Sequence, residues 1–144
     1  MKLGLNTLMF ALSKTSKARL NGVHPDLIRV INRALEISPI DFTILEGLRT
    51  VERQRKLVGQ GASKTMKSRH LTGHAVDIAP YLDTDGDGDK EISWSWPHYH
   101  QLAKVIKQAA KDCGVTLTWG GDWKSFKDGP HWELNPAKYP FPKK

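Results

Sequence analysis

Apolar positions along the chain follow two rhythms. Leu27, Ile28, Ile31, Ala34 and Leu35 recur at three- and four-residue intervals, the spacing of one helix face. Pro25 suits the first turn of that helix and Ser38-Pro39 stops it. Residues 42–46 (FTILE) are short, apolar and β-branched, which predicts a strand that delivers Arg49 just beyond its end. Thr50 can cap a second helix carrying Val51, Gln54, Leu57 and Val58 as far as Gly59-Gln60-Gly61, after which residues 62–67 read as a loop. From Ala75 to Ala79 the pattern alternates, with Val76 and Ile78 on one face and Ala75, Asp77 and Ala79 on the other. Residues 92–96 predict a returning strand, and Pro97 opens a long helix with Leu102, Val105, Ile106, Ala109, Ala110 and Cys113 on one stripe, capped by Gly114. Residues 115–119 and 131–134 predict two further strands, separated by the Gly120-Gly121 break, and Pro136, Pro140 and Pro142 make the tail irregular. Together these elements predict an α+β fold in which a small antiparallel sheet packs against two or three helices.

Composition narrows the class. The 144 residues are 39% hydrophobic and 26% charged, as expected of one soluble globular domain spanning 1–144. Cys113 is the single cysteine, which excludes an intramolecular disulfide framework and a Cys-rich zinc cluster. No apolar run approaches the ~20 residues of a membrane span. The N-terminal stretch reads poorly as an export signal, because Asn6 and Thr7 interrupt it and Lys14, Lys17 and Arg19 follow. Leu8, Phe10 and Leu12 are expected as core contacts instead. The net charge of +7 favours a polyanionic partner such as an acidic cell wall, a membrane surface or nucleic acid, without choosing among them.

The chemistry concentrates in two stretches. His70 and Asp77 stand seven apart, the aspartate between alanines that leave room beside it, and imidazole nitrogen and carboxylate oxygen both suit Zn²⁺. His131 supplies a third ligand on the last strand. Two histidines and one aspartate leave a coordination position for water, the mark of a catalytic site, and Asp128, in a turn next to His131, is the candidate base for that water's proton.

Ser68-x-His70-x-x-Gly73-x-Ala75-x-Asp77, followed some fifty residues later by Asp128-x-x-His131, resembles the zinc peptidases related to D-Ala-D-Ala carboxypeptidases and vancomycin-resistance dipeptidases. The likeness is greater to bacteriophage endolysins of the L-alanyl-D-glutamate peptidase type, and it extends through residues 22–27, 42–43, 46–50 and 61–65 in the same order. The resemblance implies a hedgehog/D-Ala-D-Ala peptidase-like fold, one zinc on His70, Asp77 and His131, Asp128 as general base, and Arg49 holding the carbonyl oxygen as it becomes an oxyanion. Ser68 is expected to orient substrate or a ligand. The activity implied is hydrolysis of the L-alanyl-D-glutamate bond in the peptide stem of peptidoglycan, by a monomer that neither inserts into a membrane nor binds nucleic acid. Such an enzyme would wait in the host cytoplasm and depend on a separate membrane-permeabilising protein to reach the periplasm and wall.

Other features carry rival readings. His70 and His74 are four apart, as in a helical zinc motif, but Thr72-Gly73 is a poor helix interior and the motif's glutamate is missing. His74 is expected to line the pocket. Asp83, Asp85, Asp87, Gly88 and Asp89 match the first half of a calcium loop, yet its twelfth position is Trp94, so a hydrated hairpin turn is favoured over a Ca²⁺ site. Of Trp94, Trp96, Trp119, Trp123 and Trp132, at least three are expected in the core, with Trp132 also a candidate substrate contact. The rival functions are a D-Ala-D-Ala carboxypeptidase or dipeptidase on the same ligands, and a non-catalytic basic binding module with a structural metal.

Overall fold

A computed structural model describes residues 10–63, 66 and 68–140. Among the described residues four α-helices, α1 (Lys14–Arg19), α2 (Pro25–Ile37), α3 (Val51–Gly59) and α4 (Trp96–Cys113), accompany five strands, β1 (Phe42–Glu46), β2 (Ala75–Leu82), β3 (Glu91–Ile92), β4 (Leu117–Trp119) and β5 (His131–Leu134). The strands form one antiparallel sheet in the order β1-β2-β5-β4, with β3 paired to the far end of β2. Alternation along β2 and β5 divides the sheet. Val76, Ile78, Trp132 and Leu134 face a core closed by Leu27, Val30 and Ile31 of α2 and Leu102 and Ile106 of α4. Asp77 and His131 therefore stand on the opposite face.

The long helices form where the spacing predicts them. α2 begins at Pro25, with His24 Nδ1 accepting the Asp26 N–H, and α4 ends on Gly114 in the left-handed conformation. Several boundaries differ from the expectation. The strand expected over 92–96 stops at Ile92, because the Ser93 hydroxyl accepts the Ser95 N–H and α4 opens at Trp96, one residue before Pro97. That leaves Trp94 66% exposed and Trp96 on the surface, and only Trp119 and Trp132 are buried, stacked at 5.6 Å, where at least three tryptophans were expected. The strand expected over 115–119 starts at Leu117, since the Val115 N–H completes the end of α4 on Ala110 O. Leu12 is buried and Phe10 half-buried; Leu8 lies outside the described residues.

α1 has no apolar stripe, and polar contacts hold it. Ser16, wholly buried, accepts the Ile44 N–H at 3.0 Å and meets Thr43 Oγ1 at 3.0 Å, while Arg19 donates to Ile44 O at 2.9 Å. The helix thus satisfies the edge of β1 that would otherwise present free backbone groups. Its end presses so close on Gly47 that a Cβ there would lie 2.1 Å from Arg19 O. Gly47→Ala should cost about 1–3 kcal/mol, the usual range for overpacking, read as a lower urea midpoint; an unchanged midpoint would show that α1 yields freely.

Candidate metal centre

Strand register assembles the site. Asp77 pairs with His131 across β2–β5 and with Glu46 across β2–β1, so three functional side chains lie in one row on one face. Side chains directly opposite in an antiparallel pair have Cβ atoms about 4.5–5.5 Å apart, which places His131 beside the aspartate with no help from loops. His70 arrives on a 3₁₀ turn, Arg69–Thr72, that Ser68 caps by accepting the His70 N–H at 3.2 Å. The result is that His70 Nε2 lies 3.3 Å and His131 Nδ1 3.4 Å from Asp77 Oδ1. These atoms all fall within 4.8 Å of one another.

The far side of each ring is fixed. His70 Nδ1 lies 2.8 Å from the Gly47 carbonyl, which can only accept, so the proton sits on Nδ1 and the Nε2 lone pair faces Asp77. His131 Nε2 lies 2.7 Å from Glu133 Oε1, leaving Nδ1 to face the same point. Asp77 Oδ1 is buried without a hydrogen bond. An orphaned carboxylate oxygen between two inward-facing imidazoles fits a divalent cation, whose N₂O donor set this is.

A groove of about 670 Å³ opens over these atoms, walled by Glu46, Arg49, Arg53, Ser68, Trp123 and Asp128 among others. Arg49 donates to Gln54 Oε1 at 2.7 Å and Glu46 Oε1 at 2.6 Å, and its Nη2 stands 4.0 Å from Asp77 Oδ2. Gln54 is fully buried and donates onward to Ser63 at 2.8 Å. Ser68 Oγ is also 3.5 Å from Arg49 Nη1, so this serine caps the His70 turn and borders the guanidinium. Burial, then the Asp77 charge, raises the Asp128 carboxyl above its usual range. Gly120 makes room for both groups at this end, because a Cβ there would lie 2.4 Å from Asp128 O and 3.0 Å from His131 Cβ.

Two expected pocket residues do not belong to it. Trp132 is 2% exposed and faces the core, because its strand neighbours His131 and Glu133 take the site face; Trp123, ring centroid 5.1 Å from His131, lines the groove instead. His74 turns away, its Nδ1 2.6 Å from Thr72 Oγ1 and its ring against His24. In the β2–β3 hairpin, Asp83, Asp85, Asp87 and Glu91 come within 4.8 Å of one another, and Asp89 is not of the group. Backbone N–H groups of Gly86 and Gly88 cap Asp83 there, and Thr84 takes up Glu91. Glu46, Gln54 and Glu133 were not singled out from the sequence for the site. The signal for Glu133 was its two-residue spacing from His131 on a strand, which puts both on one face.

The phage L-alanyl-D-glutamate peptidase profile matches residues 8–135. The chain belongs to this family. It is 38% identical over 125 residues to the L-alanyl-D-glutamate peptidase of Escherichia phage T5, covering 84% of this chain and 87% of that one. It is 32% identical to the peptidoglycan L-alanyl-D-glutamate endopeptidase CwlK of Bacillus subtilis, over 67% of this chain and 62% of that one. The crystal structure of the Serratia marcescens L-Ala D-Glu endopeptidase ChiX superposes with a TM-score of 0.80 at 45% identity, covering 90% of this chain and 94% of that one. The candidate site of this chain is assembled from the β2–β5 strand pair and one capped turn.

Without metal, the centre stores protons. Burial opposes charge on His131, but the Asp77 and Glu133 carboxylates flanking its ring outweigh it and raise the imidazole to about 9. Burial also works against Asp77, and the two imidazoles hold that carboxyl below the usual range. A raised histidine contributes stability that is fully present below its unfolded value near 6.5 and lost as pH rises through about 9. The Tm of chelator-treated protein should therefore fall between pH 7 and 10 more steeply than that of His131→Gln; parallel profiles would contradict the assignment.

Proposed function

We propose that the chain is a zinc endopeptidase that hydrolyses the L-alanyl-D-glutamate bond of the peptidoglycan peptide stem, with His70, Asp77 and His131 as ligands. The observation that carries this reading is the orphaned Asp77 Oδ1 between two imidazole nitrogens at 3.3 and 3.4 Å, on the floor of a groove. Membership of the peptidase family supports the bond. When bound, zinc supplies a Lewis acid and a water acidified to a pKa of about 7.

The chain's own groups supply the rest. Asp128, at the groove wall with a carboxyl raised by burial, takes the proton of the attacking water and returns it to the leaving amine of D-glutamate. Arg49 offers positive charge to the carbonyl oxygen as it becomes an oxyanion. Its guanidinium is held by Glu46 and Gln54, so little reorganisation accompanies the developing charge. Trp123 and the exposed Phe126 give the groove an apolar wall for the stem peptide. Phe126 stands at φ 53°, an unusual backbone for a bulky side chain.

The net charge of +7 draws the protein to an anionic wall, an attraction that weakens as salt shortens the Debye length. Among the described residues no helix is long and apolar enough to cross a membrane. As a phage lysis enzyme it would reach the wall through a separate membrane-permeabilising protein.

Asp128→Asn should bind zinc stoichiometrically and lose about 10²–10⁴-fold in turnover on purified muropeptides, measured by mass spectrometry of products that begin with D-glutamate. Release of only D-alanine or D-Ala-D-Ala by the parent enzyme would overturn the bond assignment, and full activity in the variant would remove Asp128 as base. His70→Ala and His131→Ala should lower zinc content as well as turnover, whereas Arg49→Ala should lower turnover alone; equal zinc in all three would contradict the ligand set.

A further inference from the structure

We propose that Glu133, anchored by Arg69, is a positioning residue that makes His131 a ligand through Nδ1; the inference rests on the metal reading above. Glu133 is 9% exposed, follows His131 by one strand repeat, and stands opposite Ala75, whose methyl group leaves space for it. Its Oε1 lies 2.7 Å from His131 Nε2. A carboxylate at that distance demands a proton on Nε2, which forces the lone pair of the neutral ring onto Nδ1, the nitrogen that faces Asp77. Binding through Nε2 would require that nitrogen to give up its proton and its contact with Glu133.

Glu133 is itself held. Arg69 Nε stands 3.9 Å from Glu133 Oε2, and Arg69 Nη2 donates to Leu134 O at 2.8 Å and Tyr139 O at 2.6 Å. Arg69 directly precedes His70, so one buried cation ties the turn that carries one ligand to the carboxylate that orients the other. Tyr139 extends the tie by donating its hydroxyl to Asp26 Oδ2 at 2.7 Å, at the start of α2. Partners in this position raise the basicity of a ligating imidazole and fix its angle, and their loss weakens metal binding by about 10–100-fold.

The test is zinc affinity of the full chain, measured by competition with a chromophoric chelator for the parent protein, Glu133→Gln and Glu133→Asp, beside the Tm of each metal-free form. Glu133→Gln should bind zinc about 10–100-fold more weakly, and Glu133→Asp, which keeps the charge at shorter reach, should fall between. Affinities within twofold of the parent in a folded Glu133→Gln would overturn the proposal. If that variant does not fold, ¹⁵N-histidine NMR of the zinc-loaded parent decides: a His131 proton on Nε2 with zinc on Nδ1 is expected, and the reverse overturns it. A parent protein that binds no zinc would instead refute the metal centre and Glu133's role with it, an outcome distinct from a parent that binds and a variant that binds equally.

Discussion

A buried carboxylate oxygen facing two imidazoles is the constraint around which this end of the protein is arranged. Asp77 Oδ1 is buried without a hydrogen bond and faces only the two imidazoles, and a buried charge is costly unless it is paired. The fold tolerates the cost because the sheet leaves the carboxylate no alternative. Val76 and Ile78 are committed to the core, and alternation then turns Asp77 to the other face. Slipping β2 by one residue would exchange the whole set and bury the carboxylate in hydrocarbon. Core packing thus enforces an electrostatic arrangement that a cation relieves.

The surrounding charges follow from the same logic. Arg49 approaches Asp77 Oδ2 but is shared with Glu46, which keeps the groove from becoming a closed ion pair. On the opposite side Glu133 and Arg69 repeat the pattern, an anion against His131 backed by a buried cation. Each of the three proposed ligands therefore meets one structural partner on the side away from the centre. His70 leans on the Gly47 carbonyl, His131 on Glu133, and Asp77 borders Arg49. The Gly47 carbonyl is in turn positioned by the tight approach of α1, so an element remote in sequence from the chemistry contributes to ligand orientation.

The parts of the fold legible in the sequence were those built on apolar periodicity. The stripes of α2 and α4 and the alternation at Val76 to Ile78 report burial directly, and the metal-facing residues sit within or next to those patterns. The element that escaped, α1, docks through the polar contacts of Ser16 and Arg19, to which hydropathy is blind. α3 is legible from its Thr50 cap and its end at Gly59, but not that its Gln54 is buried against Arg49 and the groove. Trp132 was ambiguous because a tryptophan beside a ligand suits groove and core equally; only the pairing of His131 with Asp77 decides which face it takes. Glu46 and Glu133 are not marked out by apolar periodicity; the register sets them beside Arg49 and His131.

A zinc centre on His70, Asp77 and His131 is tested most directly by the coordination shell of the bound ion. X-ray absorption spectroscopy of the protein loaded with one equivalent of zinc should find only nitrogen and oxygen scatterers at about 2.0–2.2 Å. Two of them should be imidazoles, one a carboxylate and one an exchangeable water. A sulfur scatterer, a third imidazole, or a fourth protein ligand in place of the water would contradict it.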